Sequence, residues 1–120
     1  MLGKITIKEL QYTLKIGVTE QERQQLQPLF IDLDLYLDIT DAIQSQDITT
    51  TVNYSDVQKK IKKYLEEHES YILVERLCDD VATLVFSSFP LLYKVRCTCW
   101  KPSALSSAKN VGVTVVKKRK

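Results

Sequence analysis

The hydrophobic positions along the chain follow two periods, one typical of strands and one typical of helices. Between residues 29 and 39 every second residue is apolar, and aspartates occupy several of the intervening positions. This alternation predicts a long antiparallel strand with one buried and one solvent-facing side. Residues 4–16 alternate in the same way, but their register changes between Ile7 and Leu10. That change predicts a strand with a β-bulge.

The middle of the chain changes to helical spacing. Asn53 can cap a helix whose apolar residues recur every three or four positions, and a second such stripe runs until Pro90. The two stripes consist of Val57, Ile61, Tyr64 and Leu65, and of Leu73, Leu77, Val81, Leu84 and Val85. Alternation returns at residues 93–99 and again at 111–115, which predicts two more strands.

The resulting order, ββααββ, predicts one α+β domain over residues 1–120, with two helices on one face of a four-stranded antiparallel sheet. No linker, repeat or low-complexity tract divides the chain. The outer strands have unpaired backbone groups and no obvious edge protection, so we expect subunits to pair edge to edge in a ring. We expect the basic residues 117–120 to form a mobile, solvated tail.

Composition argues against several classes of function. The net charge is +2, from 17 basic and 15 acidic side chains spread along the chain, so no nucleic-acid partner is expected. No apolar signal core or membrane span is present in the sequence, and we expect a cytoplasmic protein without a membrane partner. With His68 as the single histidine and no glycine-rich loop, a histidine metal centre or phosphate cradle is not expected. Cys78, Cys97 and Cys99 lack the C-x-x-C spacing of redox and zinc sites, which predicts reduced, buried thiols.

Four polar residues each leave two interpretations open. Lys101 continues the inward register of the third strand just before Pro102, so its amine either snorkels to solvent or is functional. Glu75 stands in the first turn of the second long helix, where it either complements the helix dipole or binds a ligand. Glu22, in a polar loop, is either solvated or part of a site. Tyr54, in the first turn of the first long helix, either packs there or belongs to a site.

Four segments of the sequence resemble the dihydroneopterin aldolase family, which has the tunnelling fold and acts in folate biosynthesis. They are "IGVTEQERQQLQP", "TVNYSDV", "YILVERLCDDVA" and "WKPSALSSAKNVGVTV", in the family's order. The resemblance spans residues 4–116. The family's order of strands and helices is also the order that the periodicity predicts. The family includes epimerases that act on dihydroneopterin or its triphosphate.

The resemblance implies a retro-aldol cleavage of 7,8-dihydroneopterin into 6-hydroxymethyl-7,8-dihydropterin and glycolaldehyde. Two alternatives remain, a dihydroneopterin or dihydroneopterin triphosphate 2'-epimerase and a non-catalytic pterin-binding scaffold. The N5=C6 imine of the pterin takes up the electrons, so neither a metal, a Schiff base nor a cofactor is expected. The resemblance further implies a homo-oligomer in which tetrameric rings pair into an octamer, with a small-molecule pterin as the substrate.

The resemblance assigns substrate binding to two segments of the chain. Glu75 falls on the family's pterin-anchoring glutamate, whose carboxylate accepts the 2-amino and N3–H donors side by side. Val74, directly before it, and the stretch from Val52 to Tyr54 fall on segments that supply main-chain contacts to the ring. In the family these two segments come from adjacent subunits. The resemblance therefore implies an active site shared between subunits.

The resemblance also assigns three catalytic residues. Lys101 matches the lysine that moves the proton of the 2'-hydroxyl, directly or through a water. Glu22 matches the glutamate that binds the side-chain hydroxyls and partners this lysine. Tyr54 matches the tyrosine that contacts the substrate side chain and helps to protonate the enol intermediate. His68 and Ser103 depart from the family pattern, where glycine is common, and affect the loops near the substrate's side chain.

Overall fold

Four antiparallel strands form one sheet in the order β1-β2-β3-β4 in a computed structural model, which describes residues 1–119. The strands are β1 (Leu2–Lys15), β2 (Leu26–Asp38), β3 (Lys94–Trp100) and β4 (Gly112–Lys118). The helices α1 (Thr40–Ser45), α2 (Tyr54–Glu66) and α3 (Val74–Ser88) lie between β2 and β3 in sequence. The α+β class and the two long helices are confirmed. The short α1 was not predicted, because six residues are too few to show an apolar stripe.

The core lies between one face of the sheet and the two long helices. α2 packs against β1, and α3 packs against β3 and β4. The alternating apolar residues of β2 are almost completely buried, as the sequence predicts, and each contributes about 1.5–3 kcal/mol of hydrophobic stabilisation. They are Leu29, Ile31, Leu33, Leu35 and Leu37. Among residues 1–119, no helix has the length and apolar character needed to cross a membrane.

The predicted β-bulge is present in β1. The pairing of β1 with β2 shifts between Ile7 and Leu10, and Glu9 adopts a positive φ of 57° within this interval. The Glu9 N–H, which is turned out of the ladder, donates to the Asp32 carboxylate at 2.7 Å. The other oxygen of Asp32 accepts from the Trp100 indole at 2.9 Å. One carboxylate of β2 therefore connects the bulge of β1 to the end of β3.

The prediction of a mobile basic tail at residues 117–120 is wrong for those of them that the structure describes. β4 includes the first two of these residues, which pair with the start of β3. Lys117 forms an ion pair with Asp79 of α3 at 2.6 Å. The Arg119 guanidinium lies over an aromatic ring of α3 and donates to two main-chain carbonyls before β3. The basic side chains thus gain partners on α3 that a charge pattern does not reveal, and Lys120 lies outside the described residues.

Two connections lie side by side at one end of the sheet, which we call the loop end. They are residues 16–25, between β1 and β2, and residues 101–111, between β3 and β4. The segment before α3 is attached beside the first of them through Tyr71, whose N–H donates to the Lys15 carbonyl and whose carbonyl accepts from the Gly17 N–H, both at 3.0 Å. The loop end therefore gathers segments from the beginning, middle and end of the chain.

Candidate active site

A buried lysine and a half-exposed glutamate form an ion pair at the loop end. Lys101 Nζ donates to Glu22 Oε2 at 3.2 Å, although the two residues are 79 positions apart. The lysine side chain is 10% exposed and the glutamate side chain is 42% exposed. Lys101 follows β3 directly, and its N–H donates to the Val111 carbonyl at 2.7 Å, which continues the pairing of β3 with β4 by one residue. This continuation keeps the amine on the inner face of the sheet, as its register predicts.

The Glu22 carboxylate is held by the turn in which it lies. Its Oε1 accepts from the Thr19 hydroxyl at 3.1 Å and the Thr19 N–H at 3.4 Å, and the Glu22 N–H donates back to Thr19 Oγ1 at 3.1 Å. This reciprocal pattern is a capping box. A Cβ added to Gly17 would overlap the Cβ of Glu22. The close approach therefore requires glycine at this position, and the packed side chain has little freedom to turn away from Lys101.

These contacts shift the protonation of the glutamate. The hydrogen bond from Lys101, followed by those from the N–H and hydroxyl of Thr19, holds the pKa of Glu22 below its ordinary value of 4.5. All three donors favour the charged carboxylate. Glu22 is therefore an anionic acceptor at neutral pH, and the Lys101 amine is the donor that faces it.

Side chains on either side brace the loop that carries Glu22. Arg23 Nη1 donates to the carbonyls of Gly17 and Val18, both at 2.9 Å. Gln27 Nε2 donates to the Ile16 carbonyl at 2.6 Å, and Gln27 Oε1 accepts from the Ser103 hydroxyl at 3.1 Å. The serine that departs from the family pattern thus ties the two connections of the loop end together.

The start of α3 lies at the same end of the sheet. The contacts of Tyr71 with β1 hold the segment that leads into this helix beside Gly17, which itself touches Glu22. Glu75 stands in the first turn and is exposed, and Val74 is partly buried. Leu73 precedes the helix, and its side chain accepts no hydrogen bond from the first N–H groups of the helix. The start of α3 therefore offers both a carboxylate and backbone donors.

His68 shapes the segment between α2 and α3. Its ring lies between those of Tyr64 and Tyr71, with centroid distances of 4.4 and 5.3 Å, and its Nδ1 contacts the Tyr64 carbonyl at 3.0 Å. The Tyr71 hydroxyl donates to Asp80 of α3 at 2.9 Å. This second departure from the family pattern therefore contributes to the stack that holds the segment against β1.

Tyr54 and Val52 lie elsewhere in the chain. Tyr54 is the first residue of α2 and is 63% exposed, whereas Val52 is buried. The end of α2 leads into the Tyr71 segment at the loop end, and the thirteen residues from Tyr54 to Glu66 span about 18 Å between the first and the last Cα. Within residues 1–119, no hydrogen bond or ion pair links Tyr54 to Lys101 or Glu22. One chain thus gathers Lys101, Glu22 and the start of α3, and leaves Tyr54 apart.

Sequence reasoning missed Thr19, Gly17 and Gln27 as positioning residues. The Thr19-x-x-Glu22 spacing is the sequence signature of a capping box and could have been recognised. The contacts of Gly17 and Gln27 join residues across the loop end, and no local sequence pattern predicts these contacts.

Comparison with known proteins places the chain in a family. The FolB family model, described as dihydroneopterin aldolase, matches residues 5–116. A dihydroneopterin aldolase of Haemophilus influenzae is 33% identical over 97% of this chain and 97% of its own length. A dihydroneopterin triphosphate 2'-epimerase of Pseudomonas aeruginosa is 29% identical over 95% of this chain and 91% of its own length.

The fold agrees with these matches. The crystal structure of E. coli dihydroneopterin aldolase in complex with neopterin superposes with a TM-score of 0.90 at 30% identity. The superposition covers 96% of this chain and 98% of that one. The tunnelling fold implied by the sequence resemblance is therefore confirmed. From the family match and the shared fold together, the chain belongs to the dihydroneopterin aldolase family.

Proposed function

We propose that the protein cleaves 7,8-dihydroneopterin by a retro-aldol reaction into 6-hydroxymethyl-7,8-dihydropterin and glycolaldehyde. The observation that carries this proposal is the buried Lys101 amine, 3.2 Å from the Glu22 carboxylate and at the same end of the sheet as the start of α3. A pterin site needs a planar anchor for the ring and a proton-transfer group beside the substrate's side chain. These residues supply both.

The start of α3 suits the pterin ring. The 2-amino group and N3–H of a pterin form a flat edge with two donors, and a carboxylate can accept both. Glu75 is exposed in the first turn, where its carboxylate is free to make this contact. The uncapped N–H groups around Val74 are donors for an acceptor on the ring. We assign the ring's orientation to these two residues.

Lys101 and Glu22 suit the substrate's side chain. In the proposed reaction the Lys101 amine takes the proton of the 2'-hydroxyl, directly or through a water, and the C1'–C2' bond breaks. The bonding electrons pass into the N5=C6 imine of the ring, and a proton added at C1' of the resulting enol gives 6-hydroxymethyl-7,8-dihydropterin. Glu22 accepts hydrogen bonds from the side-chain hydroxyls and directs the amine. Its carboxylate, whose pKa lies below the ordinary value of 4.5, is charged at neutral pH and acts there as an acceptor.

The substrate's own chemistry makes a metal and a Schiff base unnecessary in this proposal. The imine of the dihydropterin is the electron sink, a task that a metal ion or an iminium performs in other aldol cleavages. The side chain of dihydroneopterin also carries hydroxyls and no carbonyl with which a lysine amine could condense. We therefore assign Lys101 to proton transfer.

We further propose that Tyr54 completes the site from a neighbouring subunit. Its exposed phenol stands at the opposite end of α2 from the segment that holds the loop end together, and in the described residues it makes no hydrogen bond with the Lys101 of its own chain, which supports this assignment. The outer strands β1 and β4 leave edges free for pairing between subunits. A ring of four chains, or two such rings as an octamer, would bring Val52 and Tyr54 of one subunit to the start of α3 of the next.

The test is the product formed from 7,8-dihydroneopterin by the purified protein in the presence of a chelator. We expect glycolaldehyde and 6-hydroxymethyl-7,8-dihydropterin. Replacing Lys101 by methionine should lower kcat by about 10²–10⁴-fold with pterin affinity nearly unchanged. Glu75→Ala should weaken pterin binding by about tenfold or more. The exposed helix-end residue Glu67, changed to alanine, is the matched control and should alter neither quantity.

A second candidate function is epimerisation at C2'. The similarity to the epimerase of Pseudomonas aeruginosa favours this candidate. Epimerisation shares the first bond cleavage and then rejoins glycolaldehyde on its opposite face. Formation of the epimer alone would overturn the aldolase assignment. Intact pterin binding without any conversion would instead support a non-catalytic scaffold.

A further inference from the structure

All three cysteines of the chain meet in the core, just behind the loop end. Cys97 and Cys99 project from the same face of β3 with their sulfur atoms 4.0 Å apart, and Cys78 of α3 faces them. The three sulfurs all lie within 4.8 Å of one another, and each residue is 0% exposed. They are free thiols, as the sequence predicts. This thiol cluster plays no part in the chemistry proposed above.

The spacing of the sulfurs suits one central atom bound by three ligands. Three sulfurs at about 2.3 Å from a pyramidal trivalent atom are separated by roughly 3.5 Å, so the sulfurs, which now lie within 4.8 Å of one another, need to approach by up to about 1.3 Å. The Cys78 thiol presently donates to the carbonyls of Cys97 and Val113, both at 3.3 Å. A thiol is a weak donor, so losing these two contacts costs little.

The charge of the surroundings decides which central atom fits. Among residues 1–119, the other buried polar side chains are Thr98, which bonds Thr114, and Lys101, which is paired with Glu22. Three thiolates around a univalent or divalent ion would leave net negative charge in this apolar core without a free counter-ion, at a large cost. A trivalent, thiophilic centre leaves no net charge.

We infer that Cys78, Cys97 and Cys99 form a binding site for trivalent arsenic, taken up as arsenous acid. Three S–H bonds and three As–O bonds break, three As–S bonds form, and three water molecules leave. No electron is transferred. Arsenous acid is small and uncharged at neutral pH, so a local, transient opening of the fold is enough to admit it. The neutral product then matches the apolar surroundings of the cluster.

Native mass spectrometry of the full chain, incubated with arsenite and a phosphine reductant, tests this inference independently of any enzymatic activity. We expect one arsenic per chain, a mass gain of one arsenic less three hydrogens, and a raised Tm. Because the chain has no other cysteine, every thiol-bound arsenic is assigned to this cluster. Each of Cys78→Ala, Cys97→Ala and Cys99→Ala should weaken binding by at least about tenfold, since one ligand is lost.

Unfolding curves without arsenite identify any variant that fails to fold. The test then rests on the folded variants, each of which lacks one of the three cysteines. Zinc alone should bind more weakly than arsenite, because three thiolates around a divalent ion leave the core charged. The site would be overturned if the native chain bound no arsenic or took it up only in urea. It would also be overturned if a variant that lacks one cysteine bound arsenic as tightly as the parent. Tighter binding of zinc than of arsenite would refute the argument from charge.

Discussion

The direction of the Glu22 carboxylate depends on neighbours that do no chemistry themselves. Thr19 holds one of its oxygens, Lys101 contacts the other, and Gly17 provides the space in which the side chain packs. Catalytic geometry is sensitive to displacements of about 1 Å, so these neighbours matter to the rate. Substitutions of these neighbours therefore test the position of Glu22 while leaving the proposed catalytic groups intact.

Gly17→Ala should lower kcat by about 10–100-fold, because the added methyl displaces Glu22 from Lys101. Steady-state kinetics with 7,8-dihydroneopterin would measure the loss. Gly3→Ala is the matched control. Its methyl also meets a crowded position, but the neighbour is the Ile39 side chain, at the end of the sheet opposite to the site. A similar fall in kcat for both variants would mean that general destabilisation, and not the position of Glu22, is the cause.

Lys101→Met should raise the pKa of Glu22 toward its ordinary value of 4.5, because the hydrogen bond from Lys101 is the largest cause of its depression. The depressed pKa means that the pair favours the folded state above the pKa of the unfolded chain and that this contribution disappears as the pH falls through the folded pKa. Carbon-detected NMR titration of the Glu22 carboxyl would measure the change. Lys109→Met, an exposed lysine in the same loop, should leave the titration unchanged.

Part of the site could be predicted at this scale. The inward direction of Lys101 follows from the alternation of β3, and the structure agrees with it. The ion pair with Glu22 could not be predicted from periodicity, because the two residues meet only when loops 79 positions apart fold against each other. The assignment of roles to Glu22, Glu75, Val74, Val52 and Tyr54 rests on the family resemblance and stays a prediction.

At the scale of elements, the long strands and helices were predictable because each buries one face. Their periods of two and 3.6 residues survive in the sequence. The Asn53 cap was also predictable, and its side chain accepts from the Ser55 N–H at 3.0 Å. The extension of β4 was not, because Lys117 and Arg119 find their partners on α3. Short-range sequence patterns thus predict which strands and helices form, but they do not predict the residues at which these elements end.

Asn53→Ala should reduce the free energy of unfolding by about 1 kcal/mol, because a helical N–H loses its acceptor at the start of α2. Asn53→Asp retains an acceptor and should be nearly neutral. Urea unfolding at equal protein concentrations measures the difference, since an oligomer's apparent stability depends on concentration. An equal loss in both variants would show that the cap does not stabilise this helix. Because Tyr54 begins the helix, we also expect the alanine variant to lose some activity.

At the scale of the whole molecule, the proposed catalytic groups lie in two places. Lys101 and Glu22 are at the loop end, and Tyr54 is separated from that end by the length of α2. The chain also presents two outer strands, β1 and β4, that a neighbouring chain can extend. In the proposed assignment a single chain holds two partial sites, which is the physical reason to expect activity only in the oligomer.

Mixing two inactive variants tests this division. Tyr54→Phe and Lys101→Met homo-oligomers should each cleave dihydroneopterin poorly. After the two are unfolded together and refolded in equal amounts, about a quarter of the sites should combine an intact Lys101 from one chain with an intact Tyr54 from its neighbour. Activity near a quarter of the parent value is the expected result, and native mass should be a multiple of four chains. Activity no higher than that of the separate variants would place both groups in one chain.

The Asp32 carboxylate, which joins the bulge of β1 to the end of β3, also fixes the position of an indole. Its partner, Trp100, is the single tryptophan of the chain and directly precedes Lys101. The intrinsic tryptophan fluorescence of the protein therefore comes from one indole beside the loop end. Ligand binding or subunit exchange there should alter the emission of this indole, so titrations can follow the loop end optically without an attached dye.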